Sequence, residues 1–481
     1  MGTDFETLII GTGFAGLLMA YRLKAAGRKD FAILEKADDV GGTWRENTYP
    51  GAECDVASAL YSYSFAPNPT WEFQYAKQPQ ILQYLQDFAT DQGLRPFIKF
   101  GRAVRSAVWN EEAKHWTVTT DDGETYTSRF VVSAIGQLHI PMEPEFPGRD
   151  TYKGPSFHTA RWDHSVDYRG KRVGIVGSAA SAIQVIPAIA PEVEHLTIYQ
   201  RSPNWIISKN DRPYTKLEHW LAKRIPALSQ LYRLRLWCLG EYVLWPTIKG
   251  NRFTRGLLKA QNRWMMKKAI KDPALREKLT PDFAMGAKRI LLSDDILPTY
   301  ARDNVDLVFD PIETFTESGI LAGGVERGHD LVVLATGFET NPFLKMIDVR
   351  GEGGVSIREH WKDGAHAYYG INTAGFPNFF MLYGPNTNTG HTSIVYKLEG
   401  QADYILQLIE AAGKGALAVE PEVEARFNDE MQSRLADLAW AKIDKSWYKD
   451  GDRVTNNWPG GSREFRKRLK TPDLSHYRRV A

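Results

Sequence analysis

The chain has 481 residues and a formal charge of +2, with 43% hydrophobic and 25% charged residues. That length suits two or three domains, and the near-neutral balance excludes a global field that would gather nucleic acid. Cys54 and Cys238 are the only cysteines, which excludes a disulfide framework or a CxxC redox pair and suits a reducing cytoplasm.

No apolar run reaches the roughly 18 residues that cross a bilayer, so no transmembrane segment is expected. The opening MGTDFETLIIGTGFAG lacks a basic leader and reads as a strand, not a signal peptide. Glu6 stands where an acylation signal at Gly2 would want Ser or Thr.

TLIIGTGFAGLLMAYRLKAAGRKDFAILEK, residues 7–36, reads strand, glycine turn, helix, strand. Gly11, Gly13 and Gly16 fit G-x-G-x-x-G: a tight turn, close approach of backbone to a pyrophosphate, and tight packing of helix on strand. Glu35 ends the next strand, where a carboxylate can hold a ribose hydroxyl. These features predict dinucleotide binding. GGTWRENTYPGAECD (41–55) follows and suits a chain that wraps a long extended ligand. FIKFGRAVRSAVWN (97–110) and KHWTVTTDDGETYTSRFVVSAIG (114–136) alternate and break at Asp-Gly, predicting antiparallel hairpins inserted in this domain.

In YKGPSFHTARWD (152–163), Gly154, His158 and Trp162 are spaced by four, yet Gly154-Pro155 argues against a continuous helix. KRVGIVGSAASAIQVIPAIAPEVEHLTIYQRS (171–202) then repeats the strand–turn–helix–strand grammar. Gly177, Ser178, Ala179, Ala180 and Ser181 form its turn. Ala179 replaces the usual middle glycine, a cost of roughly 1–2 kcal/mol if a left-handed backbone is required there. Arg201 sits where an NAD-binding unit places an acid, so its guanidinium can fork onto a 2′-phosphate, with Ser202 adding a hydroxyl.

Residues 205–285 change to helical periodicity with excess Lys and Arg. This predicts an inserted helical subdomain with a solvated face over an aromatic core; a lid or membrane-surface patch is the alternative. HDLVVLATGF (329–338) reads as a buried strand, and GFPNFFMLYGPNTNTGHTS (375–393) as a strand and Gly/Asn-rich loop. A long amphipathic helix is predicted over 394–412.

The stretch 41–55 resembles the second fingerprint of the type I Baeyer-Villiger monooxygenases, class B flavoprotein monooxygenases. Residues 152–163 resemble that family's signature, FxGxxxHxxxW followed by Pro or Asp, with Tyr152 in place of Phe. A family resemblance over nearly the whole chain implies an α/β fold with two Rossmann-like domains. The FAD domain would take 1–150 and 336–481, and the NADPH domain 151–335 with its helical insertion. The signature segment would be the hinge between them, and His158 is not expected to be a catalytic acid.

The resemblance further implies that Gly42, Thr43, Trp44, Asp55, Tyr61, Val104 and Asn386 join Gly11, Gly13, Gly16 and Glu35 around FAD. Gln184 and Lys288 would join the second turn, Arg201 and Ser202 around NADPH, with Trp447 in the Ser446–Tyr448 loop over the nicotinamide. Arg289 would reach the flavin face, oriented by Asp55, and both are expected to be catalytic. After that loop, KDGDRVTNNWPGG (449–461) points to the branch resembling 4-hydroxyacetophenone monooxygenase.

The implied activity is NADPH-dependent insertion of one oxygen atom from O2 beside a ketone carbonyl through a C4a-peroxyflavin, giving an ester or lactone, with sulfoxidation on the side. An N- or S-oxidising flavin monooxygenase and a non-oxygenating NADPH-dependent flavoprotein reductase are the alternatives. A cytoplasmic monomer or weak homo-oligomer acting on a small ketone, without a metal, is expected.

Overall fold

The computed structural model describes residues 2–341, 343–443 and 447–480. The first sheet grows around β1 (Phe5–Ile10), whose last four residues are all buried, as a parallel strand covered on both faces requires. Helix α1 (Phe14–Ala25) leads to β2 (Phe31–Leu34), which pairs parallel with β1. Then follow α2 (Thr43–Glu46), α3 (Gln78–Asp91), β3 (Ile98–Lys99), β4 (Val104–Asn110), β5 (His115–Thr120) and β6 (Thr125–Ser133).

The strand order is Asp348–Arg350, β4, β5, β6, β1, β2, β3, with Phe379–Met381 also paired to β6. The β4–β5–β6 run is antiparallel, and Gly123 turns its second hairpin at a φ of +86°. β3, however, pairs parallel with β2 and belongs to no hairpin. The predicted long helix spans Ile394–Ala412 and packs against α1.

The second sheet holds five parallel strands. β7 (Ser156–His158) forms its edge beside Leu331–Leu334, followed by β8 (Arg172–Val176), β9 (His195–Tyr199) and Val305–Val308. Helix α4 (Ala182–Ile189) follows β8. The signature segment is thus a short strand and a 3-10 turn, not a helix. Its tyrosine is accommodated: the buried Tyr152 hydroxyl donates to the His329 carbonyl at 2.9 Å. The Tyr152 ring lies over Gly154, where an added Cβ would stand 2.4 Å from the phenolic oxygen.

The passage between the sheets lies elsewhere, in residues 134–142 and 335–341. These pair with each other through Met142 N–H to Gly337 O and Glu339 N–H to Ile140 O, both 2.9 Å. Phe146 and Tyr152 already pack with Val176 and Phe315, so the chain joins the second unit ahead of residue 150. His158 is buried beside this crossing, its ring edge-on to Phe338, and its Nδ1 accepts the Ala160 N–H at 3.0 Å. Burial pushes its pKa down, which keeps the imidazole neutral and suits a packing role.

The insertion is bracketed by a parallel pair, Ile206–Ile207 with Leu291–Leu292. It contains α5 (Lys216–Arg224), α6 (Pro226–Leu239), a π turn at Gly240–Leu244, α7 (Trp245–Lys249), α8 (Arg252–Ala269) and α9 (Pro273–Lys278). Arg233, buried, ties α6 to the first domain by donating to the carbonyls of Ala59 and Ser62.

Candidate active site

The first glycine turn is built for contact at three points. Gly11 has a φ of +101°, and a Cβ on Gly16 would lie 1.9 Å from the Gly11 carbonyl oxygen, so backbone packs on backbone. Gly13, at φ −73°, begins α1 with no side-chain cap. The first-turn N–H groups of Phe14, Ala15 and Gly16 therefore keep their donors for an anion, although all three residues are buried. Gly42 closes over this turn: its Cβ would sit 3.0 Å from Gly13 Cα.

Glu35 is buried at the end of β2. It accepts the Thr12 N–H at 2.8 Å on one oxygen and the Ala37 N–H at 2.9 Å on the other, which fixes the carboxylate at the rim of the turn. Thr43 opens α2. Trp44 Nε1 donates to the Tyr61 hydroxyl at 3.1 Å, and the Tyr61 ring meets Phe14, the first residue of α1, at 4.9 Å. These aromatics wall the cradle. Val104, the first residue of β4, is buried. Uncapped buried donors, a fixed carboxylate and a glycine-lined approach fit FAD.

Around the second turn, Gly177 has a φ of +119°, and its Cβ would meet the Ala335 carbonyl at 2.3 Å. Ala179 is not among the residues with positive φ. The left-handed cost considered for it is therefore not incurred. Gly13, at the same place in the first turn, likewise has a negative φ. Ser181 starts α4 with no side-chain cap.

Ser202 accepts from Lys288 Nζ at 3.2 Å. Burial and the charge of nearby Arg201 push the Lys288 pKa down. Neither cation has an ion-pair partner among the described residues. Two unneutralised cations and a hydroxyl suit a phosphate dianion, hence NADPH.

Gln184 is more of a bracket than a free donor. Its amide accepts the Tyr49 hydroxyl at 2.7 Å and donates to the Glu53 carbonyl at 2.9 Å, tying α4 to the first domain. At that contact Gly51, φ +78°, lies so close that a Cβ would stand 2.4 Å from the Gln184 carbonyl.

Arg289, following the insertion, crosses to Asp55 of the first domain. Nε donates to one carboxylate oxygen at 2.7 Å and Nη2 to the other at 2.6 Å. The side chains are 28% and 21% exposed, enough to face a cleft while remaining mostly desolvated. Asp55 pushes the Arg289 pKa up, so the guanidinium keeps its charge at any working pH. Tyr383 and Tyr448 also act on it electrostatically.

Asn386, at a left-handed φ of +54°, donates its amide to the Val454 and Asn457 carbonyls at 2.8 and 3.1 Å, and so pins the C-terminal loop beneath the site. The Trp447 ring meets that of Tyr448 at 4.5 Å, tilted by 36°, and the Trp447 carbonyl accepts from Thr340 Oγ1 at 2.7 Å. Ser446 lies outside the described residues.

Known proteins resemble this chain over nearly its whole length. The chain is 41% identical to a Baeyer-Villiger monooxygenase of Streptomyces coelicolor over 98% of its own length and 91% of the relative's. The chain belongs to the Baeyer-Villiger monooxygenase family. A Baeyer-Villiger monooxygenase of Pseudomonas aeruginosa is 39% identical over 98% of this chain and 91% of the relative. The solved structure of an oxidised steroid monooxygenase bound to NADP superposes with a TM-score of 0.88 at 33% identity, over 99% of both chains. Residues 8–237 also match the pyridine nucleotide-disulphide oxidoreductase family, although this Baeyer-Villiger monooxygenase has no paired cysteines for thiol chemistry.

Other residues of the site carry no motif. Lys209, buried, meets Glu53, two residues before Asp55, at 2.5 Å and Asp211 at 3.7 Å, and Lys77 also pairs with Glu53. Lys397 is fully buried and donates to the Thr387 and Asn388 carbonyls at 3.1 and 3.3 Å. Burial, opposed by the charges of Glu241 and Glu464, pushes its pKa down to about 7. Helical amphipathicity gave no reason to expect a lysine on the buried face.

Proposed function

We propose that this Baeyer-Villiger monooxygenase binds FAD and NADPH and inserts one oxygen atom of O2 between a ketone carbonyl and its neighbouring carbon, giving an ester or lactone. The second oxygen atom leaves as water, and NADPH with one proton supplies the two electrons. The observation that carries the reading is the bidentate Arg289–Asp55 pair at the junction of the two dinucleotide-binding domains.

Bound and reduced flavin supplies the activation of oxygen; the chain supplies charge and position. Arg289 stabilises negative charge developing beside it and cannot surrender a proton. Asp55 fixes the direction of the guanidinium and offsets part of its charge. Gly11, Gly13, Gly16, Glu35, Gly42, Thr43, Trp44, Tyr61, Val104 and Asn386 line the FAD site in this reading. Gly177 to Ser181, Arg201, Ser202, Lys288 and Trp447 serve NADPH, with Arg201 and Lys288 gripping the 2′-phosphate and Gln184 bracing α4 against the first domain behind them. The protein acts as a cytoplasmic monomer or weak homo-oligomer on a small ketone.

The test is a panel of aryl, cyclic and aliphatic ketones beside a trialkylamine, with NADPH consumption, hydrogen peroxide and product measured together. Ester or lactone formation stoichiometric with NADPH is expected. Oxidation of the amine alone, or NADPH consumption giving only peroxide with every ketone, would overturn the reading.

A further inference from the structure

The helical insertion carries a charge and an apolar surface out of keeping with the rest of the chain. From Lys216 to Ala269 there are twelve Lys and Arg against two acids, a formal +10 in a protein whose total is +2. Neither acid faces outward as a counterion for this surface. Glu218 is spent on Arg212 and on capping α5, and Glu241 is buried, accepting the Ser462 N–H. None of the twelve cations is in an ion pair among the described residues.

Interleaved with these charges lie eleven of the seventeen large hydrophobic side chains that are exposed among the described residues. They follow helical spacing on the outward face. Leu228, Leu231 and Leu239 do so on α6, and Phe253, Leu257 and Trp264 on α8, with Phe253 80% exposed and Trp264 61%. On α8 the stripe is flanked by Arg252, Arg263, Lys267 and Lys268. The inner face of the same helix buries Leu258, Asn262, Met265 and Met266. The helix is therefore apolar on both sides, and only its outer side mixes apolar rings with unpaired cations.

We propose that this face docks on an anionic lipid surface, with the apolar side chains inserted at the headgroup boundary and the Lys and Arg side chains on lipid phosphates. The two signals, insertion of apolar side chains and attraction of basic ones to anionic headgroups, are those that peripheral amphipathic helices combine. A second copy of the chain fits the face poorly. An isologous contact would set +10 against +10 with no carboxylate to intervene. No described helix is long and apolar enough to span a bilayer, so the attachment is peripheral.

The test is flotation of the FAD-loaded full chain with vesicles of pure phosphatidylcholine and of phosphatidylcholine with one-quarter phosphatidylglycerol, at 0.1 and 1 M NaCl. Binding to the anionic vesicles at low salt is expected, at least tenfold weaker on neutral vesicles and at high salt. Two variants divide the signals: Phe253→Ser/Leu257→Ser/Trp264→Ser and Lys267→Glu/Lys268→Glu, all at exposed positions. Each is expected to weaken binding tenfold or more, with the thermal midpoint unchanged.

No enrichment on anionic vesicles would overturn the proposal, as would binding that neither variant weakens. Sedimentation velocity without lipid provides the remaining arm. A monodisperse particle with the same mass in both variants is expected, whereas self-association dissolved by the variants would assign the face to a second copy.

Discussion

Replacing Arg289 by Ala separates oxygen transfer from the steps before it. The substitution removes two charge-assisted hydrogen bonds of 2.7 and 2.6 Å and leaves the Asp55 carboxylate one-fifth exposed with no partner. The pair is mostly but not wholly buried, so its loss falls between the small cost at exposed pairs and the larger cost of breaking buried ones, about 2 kcal/mol of stability. The catalytic loss is separate. One preorganised donor facing developing negative charge contributes roughly 3–4 kcal/mol, a factor of about 100 to 1,000.

The variant should retain FAD by absorbance, oxidise NADPH and release hydrogen peroxide, while ester per NADPH falls at least about 100-fold. Arg289→Ala/Asp55→Ala then distinguishes folding from catalysis. Removing the stranded carboxylate should restore much of the stability and none of the ester. Ester yield within about tenfold of the native protein in either variant would refute the assignment of charge stabilisation to Arg289.

Arg201→Ala should raise the NADPH Michaelis constant tenfold or more, about 1.4 kcal/mol, and leave NADH little changed; equal loss with both coenzymes would contradict a 2′-phosphate contact. Ala179→Gly should not tighten NADPH, because no left-handed backbone is being relieved there, and the freed backbone should cost about 0.5–1 kcal/mol of stability. A tenfold gain in affinity would mean that the alanine methyl occupies the space of the pyrophosphate. Lys397 gives a pH signature. Its pKa in the folded chain, about 7, lies below that of a free lysine, so the unfolded chain holds more protons between pH 7 and about 10. Stability relative to Lys397→Met should rise with pH across that window, by up to about 1.4 kcal/mol per unit. A difference in chemical-denaturation free energy that stays flat from pH 7 to 9 would refute the desolvated ammonium.

Much of this architecture was legible because short-range rules specify it. Both glycine turns fall between a buried strand and a helix, and the long helix at Ile394–Ala412 lies where its periodicity puts it. What escaped depends on distance along the chain. A four-residue spacing could not show that 156–158 would become the edge of a sheet, since its partner, Leu331–Leu334, lies more than 170 residues away. The same holds for β3, whose pairing with β2 is set by a neighbour and not by the adjacent turn. Ala179 could be flagged by pattern, but the pattern does not carry the φ that decides its cost.

The pairing of Arg289 with Asp55, 234 residues apart in the chain, joins two domains that also meet at Gly51 and Gln184. These contacts have different tolerances. Gly51 touches α4 with backbone at a distance that admits no side chain, so the seam there is rigid. Arg289 reaches across on a flexible stem, held at its end by two hydrogen bonds. Any relative movement of the domains would therefore pivot near Gly51 and be felt as a change in aim at Arg289. Asp55 restrains that aim, because its two oxygens accept from two different guanidinium nitrogens and so fix direction as well as position. A lysine at 289 would keep the charge and lose the direction.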